Sequence, residues 1–227
     1  MEIPFLQENK NIGLLLMILG LLSIIAPIVY LATWHGYYTH ISGWWTYVLV
    51  MGAIIGIISG LIYILAGMSV RDSKDDKFGL FQKLAAIVNF KIEYDIKVGV
   101  PAFIILVWGV VSLLSGILTL FTANFFGIVS IIIGIIFIFV APMVAGQNKP
   151  DYAKIIWLIA VILLIIGLIF AIIGIFGLAY IMGWGGLGVV YGLLMIVNLI
   201  ITILISLYML LAFLSDDIKN NMGADYF

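Results

Sequence analysis

The chain has no cysteine among its 227 residues. That single absence excludes disulfides, thiolate metal sites, iron–sulfur ligation and a cysteine nucleophile, and it fits any redox compartment. Charge is scarce as well. Asp, Glu, Lys and Arg make up 9% of the residues, and the formal net charge is −1. A nucleic-acid partner needs a clustered basic face, so none is expected. Phosphate-cradling glycine loops and HExxH are missing too. No catalytic constellation assembles from two histidines and scattered carboxylates. No catalytic residue and no cofactor is expected.

What fills the chain is apolar. Hydrophobic residues reach 65%, where a soluble domain carries about 45–50%. A chain of this length cannot bury such an excess in its own core, so its solvent is expected to be lipid. A helix needs about 20 apolar residues to cross a bilayer. Six runs qualify: 12–33, 46–68, 98–121, 127–145, 155–180 and 188–213. The first is longer than a signal-peptide apolar region and no small-residue cleavage site follows it, so it is kept as a span. The expected fold is all-α: one polytopic transmembrane domain of six helices.

None of the six runs contains Asp, Glu, Lys, Arg or His. Ion-coupled transport, proton relay and voltage sensing require such groups within the membrane, and haem requires an axial ligand there. The connecting segments carry the charge, and they carry it unevenly. All ten Lys and Arg fall at the N-terminus, in 69–97, in the loop between the fourth and fifth spans, or in the tail. The loops at 34–45, 122–126 and 181–187 have none. By the positive-inside rule both termini are expected in the cytoplasm of a cell-membrane protein.

The outer loop "WHGYYTHISGWW", 34–45, is dense in aromatic rings. Trp34, Tyr37, Tyr38, Trp44, Trp45 and Tyr47 fit a headgroup-level belt, and Trp184 fits the same level. His35 and His40 lie five apart, a spacing that splays them on a helix. In an irregular loop they are the candidate metal ligands of the chain, but two are too few for a closed site. Polar-tipped interfacial rings are the simpler reading.

The loop 69–97 is the sole sizeable extramembrane segment and is too short for a domain. It opens with the balanced run "RDSKDDK". Then Phe81, Leu84, Ala85 and Val88 recur at helical spacing. A short amphipathic helix over 78–92 is expected, lying in the membrane interface with its lysines toward headgroups. Docking on protein is the alternative.

Without a hydrophobic drive between helices in lipid, small residues allow close approach. Gly52, Gly56 and Gly60 form a ridge on the second span. Gly13 and Gly20, Gly109 and Gly116, and Gly167 and Gly174 repeat at seven residues on the odd-numbered spans. That suggests three related hairpins, as does the likeness of "GLIYILAG" at 60–67 to "GIIFIFVA" at 134–141. All five prolines sit away from mid-membrane; Pro27 comes nearest and is expected to bend the first span. Two polar stripes complete the inventory: Ser112, Ser115 and Thr119 on the third span, and Asn198, Thr202 and Ser206 on the sixth. They read as interhelical hydrogen-bonding glue, with Asn198 the residue costliest to leave unpaired.

The functional expectation is a structural or accessory subunit without chemistry of its own, packing against lipids and other integral membrane subunits or copies of itself. The alternative is a transporter or channel for a small neutral or lipidic solute, lined by those two stripes.

Overall fold

The computed structural model describes residues 3–37, 43–73, 79–182 and 187–224. The described residues form eight α-helices and no strand. They are α1 (Asn9–Tyr37), α2 (Gly43–Asp72), α3 (Leu80–Ile87), α4 (Gly99–Leu120), α5 (Phe126–Val144), α6 (Ala153–Met182), α7 (Leu187–Phe213) and α8 (Asp216–Asn221). All but α3 and α8 are long and apolar enough to cross a membrane, at the six places expected.

These six pack as three hairpins, α1–α2, α4–α5 and α6–α7. The α1–α2 hairpin holds the middle: α1 also packs on α7, and α2 on α4. Glycine spacing explains two of the hairpins. Gly13 and Gly20 on α1 face Gly67 and Gly60 on α2. Gly109 and Gly116 on α4 face Gly134 and Gly127 on α5. Each helix contributes two glycines seven residues apart, and seven residues return a helix to nearly the same face. A Cβ at Gly20 would sit 2.5 Å from the Gly60 carbonyl oxygen, and one at Gly116 would sit 2.7 Å from that of Gly127. The helices therefore touch backbone to backbone. On α6 the pair Gly167 and Gly174 does not act in this way. A Cβ at Gly174 would meet Leu199 at 3.3 Å, and one at Gly167 would meet nothing within 4 Å. The threefold pattern thus holds for two hairpins. The likeness of 60–67 to 134–141 is also out of register, because the counterpart of Gly60 in this packing is Gly127.

The core lies toward one end of the bundle. On α4 every residue from Gly99 to Val107 is buried, as is the stretch Val140–Val144 on α5. Trp157 and Val161 of α6, and Ile205, Tyr208 and Met209 of α7, join the same cluster. At the other end Leu114, Ile117, Phe121, Phe125 and Phe126 stay exposed.

The core end is tied together by the chain's extramembrane segments. The expected helix forms over 80–87, but its apolar face is spent on protein. Phe81 and Ala85 are buried, and Phe81 meets Phe103 of α4 edge to face at 5.1 Å. This corrects the interfacial placement: the stripe of Phe81, Leu84, Ala85 and Val88 finds a partner in the chain's own core. The irregular run after it is held by distant side chains. Gln147 pairs with the Lys91 backbone as a strand would, accepting from its N–H at 2.7 Å and donating to its carbonyl at 2.8 Å. The Tyr208 hydroxyl donates to the Ile96 carbonyl at 2.6 Å, and Asn9 Nδ2 to that of Tyr94 at 2.6 Å. Gly146 takes a left-handed φ of 71° after α5 and leaves room for Asn221, which donates to the Val144 carbonyl at 3.0 Å.

Trp157 closes the α6–α7 hairpin at this end. Its indole Nε1 donates to the Phe213 carbonyl at 2.7 Å. That carbonyl ends α7 and has no partner further along the helix. Trp157→Phe keeps the ring but removes the donor, and it is expected to cost about 1–3 kcal/mol. Thermal unfolding in detergent measures it. An unchanged midpoint would show that the bond contributes nothing.

Candidate functional site

Several hydroxyls of the spans are satisfied along their own helix. Ser115 Oγ donates to the Val111 carbonyl and Thr119 to that of Ser115, the latter at 2.7 Å. Thr202 donates to the Asn198 carbonyl at 2.8 Å. Ser23, Thr33 and Ser69 bond four residues back in the same way. A hydroxyl on a helix can bond the carbonyl four residues back. Ser112 and Ser206 lie half-buried on α4 and α7. The amide of Asn198 is different, since its Oδ1 is buried with no hydrogen-bond partner.

Asn198 lines a cavity of about 480 Å³ between α1, α2 and α7. Pro27 and Tyr30 come from α1, Gly52 and Gly56 from α2, and Tyr191 from α7. The two tyrosine rings lie 5.0 Å apart, tilted by 40°. Among the described residues, no charged side chain lines the cavity and none of α4 reaches it. Ser112, Ser115 and Thr119 are therefore not brought together with Asn198 in it.

The small residues of α2 explain why the space exists. Four residues advance a helix by about 400°, so Gly52, Gly56 and Gly60 rotate about 40° at each step. Gly60 faces Gly20 squarely. Gly56 faces the carbonyl of Ser23 at 2.7 Å, measured from an added Cβ, and the Pro27 ring at 2.5 Å. Pro27 has no N–H, so it leaves that carbonyl without its usual helical donor. Gly52, about 80° round from Gly60, points away from α1, and an added Cβ there would meet nothing within 4 Å. The ridge thus starts as packing and ends as open space.

The remaining candidates separate plainly. Gly109 and Gly116 pack against α5, Gly174 touches Leu199, and Gly167 is open. His35 stands in the last turn of α1, but its side chain, like the whole of His40, lies outside the described residues. Most of the aromatic collar and Trp184 do too; Tyr47 is exposed and donates to the Phe121 carbonyl at 3.2 Å. Among the described residues no group of three or more His, Asp or Glu gathers as a metal site would. Sequence reasoning missed Tyr30, although its place one turn after Pro27 marked the same face.

Comparison with protein-family models, curated proteins and solved structures finds no match for this chain.

Proposed function

We propose that the protein is an accessory subunit of the cell membrane, without chemistry of its own, that packs against other integral membrane subunits or copies of itself. Its lysine-bearing end and both termini lie in the cytoplasm, as the placement of all ten Lys and Arg supports.

The observation that carries this reading is α6. Only 11% of its most apolar window is buried in the chain, against 44% for α1 and α4. Its principal contact is α7. Gly167 and Gly177 meet nothing and Gly174 meets only Leu199, while Gly13 and Gly20 of α1 and Gly109 and Gly116 of α4 are closed against a neighbouring backbone. Small residues on a helix in lipid are worth their conformational cost where another helix comes close. Apart from Gly52 beside the cavity, these open glycines lie on α6.

Gly167→Leu tests it. The added side chain enters open space, so the chain's own unfolding midpoint should not move. A complex formed through α6 should weaken by at least about 1–3 kcal/mol, the usual cost of overpacking, and run smaller on a native gel. A variant that keeps the complex at wild-type size removes α6 as the contact.

A further inference from the structure

The turn between α4 and α5 offers a second contact surface, independent of the α6 face. We infer that Phe121, Phe125 and Phe126 anchor this turn in the lipid leaflet opposite Lys97 and Lys149, with their rings among the acyl chains below the headgroups.

Length sets the level of the turn. α4 has 22 residues and α5 has 19, so they rise about 33 Å and about 28 Å. A hydrocarbon core is about 30 Å thick. Lys97 and Lys149 flank the pair at its other end, and both are exposed. With that end held at the surface, neither helix is long enough to lift the turn clear of the bilayer. Tyr47 gives the same level independently. It stands at the start of the span Thr46–Asp72, and its hydroxyl donates to the Phe121 carbonyl at 3.2 Å.

The turn is also built to stay dry. A loop in water can leave its backbone groups to solvent, whereas one at the edge of lipid must satisfy them within the protein. Here the N–H groups of Thr122 and Ala123 donate to the Thr119 and Leu120 carbonyls at 3.0 and 2.9 Å, and that of Gly127 donates to Asn124 at 3.0 Å. The polar side chains serve the same segment. Thr122 Oγ1 donates to the Thr119 carbonyl at 2.7 Å, and Asn124 Oδ1 accepts from the Phe126 N–H at 3.0 Å.

What faces outward is phenyl. Phe121 is 64% exposed, Phe125 82% and Phe126 76%. No Asp, Glu, Lys, Arg or His occurs from Val98 to Asn148. An exposed apolar patch marks contact with membrane or protein. A protein contact carries about one hydrogen bond per 100–200 Å², and this turn spends its polar groups on itself. Ile117 of α4 and Ile128, Val129 and Ile132 of α5 are exposed as well. The rings therefore continue the apolar surface that the two spans present to lipid. A phenyl ring has no polar atom to hold it at headgroup level, as Tyr and Trp have, so it settles below.

The chain has no cysteine, so Phe125→Cys carries a single spin label. In phosphatidylcholine nanodiscs its depth is read by electron paramagnetic resonance. Collisions with oxygen, which concentrates in hydrocarbon, are compared with those of a water-soluble nickel chelate, and lipids labelled at known acyl positions calibrate the ratio. The label should lie about 5–10 Å below the headgroups. A label at Asp151→Cys, on the exposed turn before α6, should meet the chelate freely. Adding Phe121→Ser and Phe126→Ser should raise the label at 125 to headgroup level. Ile128→Cys, three residues further along α5, gives a second reading about 4–5 Å deeper should the first variant fail to fold. A label at 125 or 128 that meets the chelate as readily as one at 151 overturns the inference, because the turn then stands in water. Protection from both oxygen and chelate overturns it as well, because protein then covers the rings. So does a depth that the two serines leave unchanged.

Discussion

Gly20→Leu is expected to unfold the α1–α2 hairpin. A Cβ alone would lie 2.5 Å from the Gly60 carbonyl oxygen and 2.8 Å from the Ile64 backbone nitrogen. Neither atom can turn aside as a flexible side chain would, so the helices must separate along their length. Overpacking a yielding core costs about 1–3 kcal/mol; here the loss should reach or exceed the upper figure. It also spreads, because α1 and α2 carry the contacts to α7 and α4. A midpoint lowered by roughly 10 °C, or loss of the monodisperse species in detergent, is the expected result. Gly52→Leu, on the ridge that Gly60 closes, should leave the midpoint in place. Equal effects of the two would show that the glycine heptads are not what brings these helices together.

Phe103→Ala is expected to loosen the whole core end at a cost of about 3–5 kcal/mol. Phe103 is fully buried on α4, and two rings stand on it edge to face: Phe81 at 5.1 Å and Tyr94 at 5.5 Å. Phe81 brings α3 and Tyr94 brings the irregular run that follows. Removing the ring deletes the floor under both. Trypsin should then cut faster at Lys83, Lys91 and Lys97 than in the wild-type chain, with cleavage tracking the lowered stability of the segment. Protection equal to wild type would mean that the backbone bonds from Gln147 and Tyr208 hold the segment alone.

The contrast between these two sites shows what can be read from one chain. Six spans are legible because lipid demands long uncharged runs, and charged residues here keep strictly to the connections. The α1–α2 and α4–α5 pairings are legible because a seven-residue glycine repeat holds one helix face. Gly52 misleads for the same geometric reason. Its four-residue step from Gly56 looks like a continuous ridge in the sequence, yet the drift of about 40° per step carries it off the interface. The segment after α3 is illegible locally. Its conformation rests on Gln147, Tyr208 and Asn9, which are 56, 112 and 85 residues from the groups they hold. The helix over 80–87 is legible as amphipathic, but an apolar stripe does not say whether lipid or protein covers it. Asn198 stands out as an amide in an apolar run. Its neighbours in the cavity come from three helices, and no spacing within one helix reveals them.

The proposed function places this chain in an assembly within the membrane. The most direct test is extraction of the full chain from its native membranes in a gentle detergent, followed by native mass spectrometry. A defined complex is expected, with another integral membrane protein or a second copy at fixed stoichiometry, that Gly167→Leu reduces to the single chain. A wild-type chain that travels alone, at the mass of one 25.0 kDa protomer with or without bound lipid, would contradict it.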